Sequence, residues 1–187
     1  MKITFFRHGM TKGNEERRYV GKTDENLSGN GISLLKNIVR TGVDAVYSSP
    51  MKRCIQTAEI LFPKKRINVC ELIAECDFGC FEYKNYEELK NDDKYISWLK
   101  SNGKLGFPCG EDTNEFKKRC VEGFLNIAKD AYNKNYNKIA VVTHGGVIMS
   151  IFERFTDTDF YNWQLKNGEY ITADFDYSEM ILKNIER

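Results

Sequence analysis

Histidine is scarce in this chain, with two in 187 residues, His8 and His144. Proline is nearly as scarce (Pro50, Pro63 and Pro108), and no repeat, low-complexity tract or Pro/Gly/Ser-rich linker divides the chain. Neither sign of charge dominates. The 28 basic and 27 acidic residues leave a formal net charge of +1, which excludes long-range attraction to nucleic acid or an anionic membrane. No apolar run approaches the roughly 18–20 residues of a membrane-spanning helix. The N-terminal run Met1-Lys2-Ile3-Thr4-Phe5-Phe6-Arg7 is charged too soon for a signal peptide. A cytoplasmic protein is expected. There are six cysteines (Cys54, Cys70, Cys76, Cys80, Cys109 and Cys120), but no CxxC pair. Cys76 and Cys80 are four apart with no histidine nearby, so reduced thiols are expected rather than a zinc or redox site.

What is present fits one domain spanning residues 1–187, with 41% hydrophobic and 13% aromatic residues. A chain of this size buries roughly 70% of its extended surface on folding and needs no metal or disulfide staple.

The hydrophobic periodicity then sets out the elements. Residues 2–6 read as a buried strand. Residues 9–26 are polar and glycine-bearing, a loop or broken helix. Ser28 is a plausible N-cap, followed by Ile32, Leu35, Ile38 and Val39 at helical spacing. Residues 44–48 read as a second strand. Ser49 is expected to cap a helix with Pro50 at its first position, running to about Phe62. Ile55, Ala58 and Phe62 are expected to lie against the core. Residues 67–69 form a third strand, and 75–85 a glycine- and aromatic-rich functional loop. Short helices follow over 85–100. A long helix starts at Asp112 or Thr113, with Phe116, Cys120, Phe124, Ile127 and Ala131 along one face. Residues 139–143 are the most β-branched strand, a helix opens at Gly145, and 171–175 and 180–185 form a terminal strand pair. Strands alternating with helices predict an α/β fold with helices on both faces of a central sheet, and ligands bound beyond the strands' carboxyl ends.

Both histidines fall in that place. His8 follows the first strand in Phe6-Arg7-His8-Gly9, and His144 follows the strongest strand in Thr143-His144-Gly145-Gly146. A glycine after each allows a tight turn and close approach of a ligand. Arg7 adjoins His8, and Arg53 lies near the start of a helix, where free N–H groups carry partial positive charge. Arginine pairs phosphate oxygens bidentately, and the Gly145-Gly146 helix start adds backbone donors. Two imidazoles, two guanidinium groups and helix N-termini together describe a phosphate pocket. Two histidines without a carboxylate cluster make a poor metal site.

Six segments appear in order over about residues 3–150. They are Arg7-His8-Gly9 with Thr11 and Asn14; Gly21, Thr23-Asp24 and Leu27-Ser28; Ser48-Ser49-Pro50 with Arg53 and Gln56-Thr57-Ala58; Glu75-Cys76-Asp77-Phe78-Gly79 with Glu82; Pro108-Cys109-Gly110-Glu111 with Arg119; and Thr143-His144-Gly145-Gly146-Val147-Ile148. In these the chain resembles the histidine phosphatase superfamily, in its phosphoglycerate-mutase-like branch. The resemblance implies a three-layer sandwich around a mostly parallel sheet, with a lid-like insert at about 75–110. It implies that His8 is the nucleophile and becomes phosphorylated, and that Arg7, Arg53 and His144 hold the phosphoryl oxygens. Asn14, Thr23 and Gly145 join Arg7 and Arg53 in binding substrate. Glu75 donates the proton to the leaving oxygen, with Glu82 as a nearby competitor for that role. No metal and no cofactor is implied.

The implied activity is a metal-independent phosphatase acting on a small phosphorylated metabolite. An α-ribazole-5'-phosphate phosphatase, a phosphoglycerate mutase and a non-catalytic phosphate-binding module stand as alternatives. The Asp77-Phe78-Gly79 segment and the short chain look closer to the phosphatases. Met10 and Asp112 depart from the family, where Glu and Ser are usual. Substrate choice is expected from the aromatics of the insert, Phe78, Phe81, Tyr83, Tyr86, Tyr95 and Trp98. Oligomeric state is not legible, and a dimer stays open.

Overall fold

The computed structural model describes residues 1–36, 38, 42–101, 103 and 105–187. In chain order the elements are β1 (Lys2–Arg7), α1 (Lys12–Glu15), α2 (Gly29–Leu35), β2 (Ala45–Ser48), α3 (Lys52–Leu61), β3 (Ile67–Val69), α4 (Tyr86–Leu89), α5 (Asp93–Lys100), α6 (Thr113–Asn133), β4 (Lys138–Thr143), α7 (Gly145–Phe155), β5 (Tyr170–Asp176) and β6 (Ile181–Glu186). The strands form one sheet in the order β3-β2-β4-β1-β5-β6. β3, β2, β4 and β1 run parallel, and β5 and β6 are antiparallel additions.

The sheet is buried on both faces, which explains why its central strands read as continuous apolar runs rather than alternating ones. Ile3 and Phe5 of β1, with Ile139 and Val141 of β4, face α6 and α7. Phe6 of β1, with Ala140 and Val142 of β4, faces α2 and α3. The three-layer architecture follows from this alternation. The predicted α6 face, Phe116, Cys120, Phe124, Ile127 and Ala131, is buried throughout. Asp112 caps that helix by accepting from the N–H groups of Asn114 and Glu115. Ser28 caps α2, while Val39 lies outside the described residues.

Two expectations need correction. The helix after β2 starts at Lys52, and Met51 at its N-cap offers no side-chain bond. Ser49 instead points its hydroxyl at the buried His144 ring, a stronger partner than its long 3.4 Å contact with the Met51 N–H. Asp24 caps the helix from another loop, accepting from Lys52 N–H at 2.8 Å. Ile55 is only half-buried, and Cys54, Ala58, Leu61 and Phe62 make the core face of α3.

The segment at about 75–110 contributes a small separate core of Phe81, Leu89 and Tyr95, bordered by Tyr19, Phe78, Trp98 and Phe107. Among the described residues no helix is long and apolar enough to cross a membrane, and all six cysteines are free thiols.

Candidate active site

Three neighbouring parallel strands, β2, β4 and β1, end side by side. Register pairs Arg7 with Thr143 and Ser48 with Val142. The ladder continues one residue further, because His8 N–H donates to Thr143 O at 2.9 Å and Ser49 N–H to Val142 O at 3.0 Å. His8, His144 and Ser49 are therefore set next to one another by the sheet itself. The two imidazole rings meet edge to face with centroids 5.1 Å apart.

Each ring has a defined partner. His8 Nδ1 lies 2.7 Å from Gly9 O. A carbonyl only accepts, so Nδ1 carries the proton and Nε2 is left with its lone pair. His144 Nε2 lies 2.7 Å from Ser49 Oγ. Both rings are buried. Desolvation, reinforced by Arg53 and Arg7, holds both pKa values well below the ordinary imidazole range. At neutral pH His8 is an uncharged base.

The arginines are held by carbonyls, not carboxylates. Arg53 is fully buried, and its Nη atoms donate to Thr23 O (2.9 Å), Gly21 O (2.7 Å) and Val20 O (3.4 Å). Arg7 Nη1 donates to Leu165 O at 2.6 Å. Among the described residues neither forms an ion pair, and the Nε of each is buried with no hydrogen-bond partner. Arg53 is fully buried and Arg7 half-buried, and such cations with unused donors have the chemistry to hold an anion.

Glu75 borders it. Its Oε1 accepts from Cys76 N–H at 3.1 Å. Desolvation raises its pKa above the ordinary carboxylate range, against the opposing pull of the Cys76 N–H, Arg53 and Arg7. Arg119 fixes the backbone here by donating to the carbonyls of Leu72, Ala74 and Glu75, and it forks onto both oxygens of Glu111 at 2.6 and 2.9 Å. Glu82 is placed differently. It accepts from the N–H groups of Gly21 and Thr23, both at 2.9 Å, and of Phe78 at 3.3 Å. It thus clamps the loop whose carbonyls hold Arg53.

The remaining predicted residues divide. Gly145 packs on Arg7, whose Cζ and Nη1 would lie 3.4 Å from any added Cβ. Thr23 contributes its backbone, through Glu82 and Arg53. Asn14 completes the α1 capping box, and its Oδ1 accepts from Thr11 N–H and Asn167 Nδ2. Met10 lies beside Arg7 in a groove with Leu34 and Ile38.

Other contributors carried no functional reading in the sequence. Thr57 Oγ1 accepts from Gly9 N–H at 3.0 Å, and Leu165 and Asn167 hold Arg7 and His8 O from a loop before β5. Ser49 and Thr57 had a signal in the segment Ser48-Ser49-Pro50 with Gln56-Thr57-Ala58; residues 165 and 167 had none. A cavity of about 280 Å³ opens beside Arg7 and Glu75, reaching Gly145 and Gly146 and the insert's aromatics.

Among the described residues, neutral imidazoles and arginines without ion pairs stand at the carboxyl ends of the parallel strands of an α/β fold, an arrangement suited to phosphoryl chemistry. The family profile described as histidine phosphatase superfamily (branch 1) matches residues 3–186, well past the motif-bearing stretch, and the chain belongs to that superfamily. It is a phosphoric monoester hydrolase. Among its relatives, the metal-independent phosphoserine phosphatase of Arabidopsis thaliana is 30% identical over 166 residues, covering 82% of this chain and 68% of the relative. Phosphoserine phosphatase 1 of Hydrogenobacter thermophilus is 28% identical over 182 residues, covering 91% and 84%. Among solved structures, a mutant of the Entamoeba histolytica phosphoserine phosphatase in complex with phosphoserine superposes with a TM-score of 0.79 at 28% identity, covering 98% and 95%. The α-ribazole phosphatase of Shigella flexneri reaches 0.82 at 21% identity, covering 97% and 93%, a likeness of fold.

Proposed function

We propose that this chain hydrolyses a small phosphorylated metabolite through a phosphohistidine at His8, with no metal taking part. The observation that carries the reading is a neutral His8, its Nδ1 tied to Gly9 O, under the influence of a fully buried Arg53 and a half-buried Arg7, each with a buried Nε that has no hydrogen-bond partner. His8 Nε2 attacks phosphorus, the N–P bond forms and the P–O bond to the alcohol breaks. Glu75 gives its proton to the leaving oxygen. Water then attacks phosphorus, Glu75 takes a proton from it, the N–P bond breaks and phosphate leaves. Arg7, Arg53, His144 and the N–H groups at the start of α7 stabilise charge on the three equatorial oxygens. Asn14 and Thr23 complete the substrate-binding loops. The residues at about 75–110 act as the lid, and the free thiols fit a reducing cytoplasmic setting.

The reading predicts p-nitrophenyl phosphate hydrolysis undiminished by EDTA, with an acid-labile phosphohistidine trapped on rapid quench. Loss of activity in EDTA, or interconversion of phosphoglycerates without net phosphate release, would overturn it.

Glu82 acts by position. Glu82→Gln keeps one acceptor oxygen for the Gly21–Thr23 loop, so kcat/KM is expected to fall by less than about tenfold, chiefly through KM, with the pH profile unchanged. A shifted pH profile in that variant would make Glu82 the acid.

A further inference from the structure

The proposed reaction leaves the alcohol part of the substrate undefined, and the cavity beside the phosphoryl site constrains it. Of its lining residues seven are aromatic, and among the described residues only Arg7 and Glu75 carry charge. Both of these are committed to the phosphoryl group and the proton. The nearby Lys117 is already paired with Glu153 at 2.6 Å and lies 4.5 Å over the Phe160 ring.

The aromatic walls are braced against one another. Phe78 meets Tyr19 at 5.5 Å and Phe107 at 4.9 Å between centroids, and Trp98 meets Phe107 at 5.1 Å. Phe116 closes the side next to Gly146, with ring carbons 3.1–3.2 Å from where a Cβ would stand. Trp98 Nε1–H is buried with no hydrogen-bond partner.

A zwitterionic alcohol such as serine would bring an ammonium and a carboxylate into this box with no free counter-charge among the described lining residues to meet them, and unpaired buried charge is heavily disfavoured. A flat, uncharged ring would instead gain apolar burial and edge-to-face contacts. We infer that the substrate of this site is a phosphomonoester whose alcohol carries an uncharged aromatic or heteroaromatic body, held by the cavity's aromatic walls while the phosphoryl group sits on Arg7, Arg53 and His8. The inference rests on the hydrolase reading above and adds the substrate class to it.

The test compares kcat/KM for 2-phenylethyl phosphate, ethyl phosphate and O-phospho-L-serine. All three are esters of primary aliphatic alcohols, so recognition rather than leaving-group chemistry decides the order. The phenylethyl ester is expected to exceed both others by roughly 30-fold or more. Trp98→Ala should bring its advantage over ethyl phosphate down by at least about fivefold. Phe160→Ala, outside the insert's core, makes the same comparison if Trp98→Ala fails to fold.

Phosphoserine hydrolysed as well as or better than the phenylethyl ester overturns the aromatic assignment and leaves the phosphatase reading standing. If no ester is hydrolysed and no phosphohistidine forms, the phosphatase reading fails and this assignment fails with it.

Discussion

His8→Ala is expected to lower kcat by at least roughly 10⁵-fold and to leave no phosphohistidine after quench of a reaction with p-nitrophenyl phosphate. The size follows from what the substitution removes. The covalent route needs a lone pair on Nε2, and alanine supplies none. Arg7, Arg53 and their carbonyl partners are untouched, so the variant should still bind phosphate or substrate with an affinity within about tenfold of the parent, measurable by calorimetry. Water attacking the bound ester directly would account for what activity remains. The small side chain opens a buried space at the end of β1, so folding is checked by circular dichroism and thermal melt. Turnover within tenfold of the parent in a folded variant would remove His8 from the mechanism. His144 would be the next candidate, although its Nε2 is already engaged by Ser49.

Glu75→Gln comes next in size, an expected loss of about 10²–10⁴-fold in kcat/KM for an unactivated alkyl phosphate. Glutamine keeps the shape and the contact with Cys76 N–H but has no proton to give. The loss should shrink for p-nitrophenyl phosphate, whose leaving group needs little protonation. With that substrate the phosphoenzyme should accumulate, because the second half-reaction still lacks its base.

The pH dependence carries a sign. The first step needs Glu75 protonated and His8 neutral. Burial raises the Glu75 pKa, so the productive acid persists above the ordinary carboxylate range and is lost as pH rises through its raised value. Burial and the two arginines lower the His8 pKa, so the nucleophile stays neutral until pH falls well below the ordinary imidazole range. The profile of kcat/KM is therefore expected to decline on the alkaline side as Glu75 loses its proton, a decline that disappears in Glu75→Gln. An alkaline decline that survives in Glu75→Gln, or a larger loss in Glu82→Gln, would assign the acid elsewhere.

Much of the site was legible because its signals are local. Each histidine follows a strand and precedes a glycine, and in a parallel α/β sheet that position is where ligands bind. Arg7 is adjacent to His8, and Arg53 lies at the start of the helix after β2. The two terminal strands and the buried face of α6 were readable for the same reason, since period and burial are written in neighbouring residues.

The errors arose where a side chain had a choice of partner. Ser49 has the right chemistry and spacing to cap a helix, yet its hydroxyl goes to a buried imidazole that no local window includes. The insert's six aromatics were grouped as one set, but the structure divides them. Phe81 and Tyr95 form the insert's core, Tyr83 and Tyr86 are exposed, and Phe78 and Trp98 line the cavity. Ring chemistry is the same in all six, and only packing separates them.

By itself, then, the sequence determined the fold class, the two histidines, the two arginines and the two carboxylates that compete as acid. The fold class, histidines and arginines follow from residue type and short-range pattern, and the carboxylates from the family resemblance. The tertiary structure alone decided that β4 lies between β2 and β1, which brings His8 and His144 from distant parts of the chain to one point. It also decided that Glu82 clamps a loop while Glu75 is desolvated beside the arginines, and that residues 165 and 167 serve the site. Strand order, burial and the partner of a buried polar group depend on the whole chain being packed at once, and no local stretch of residues contains them.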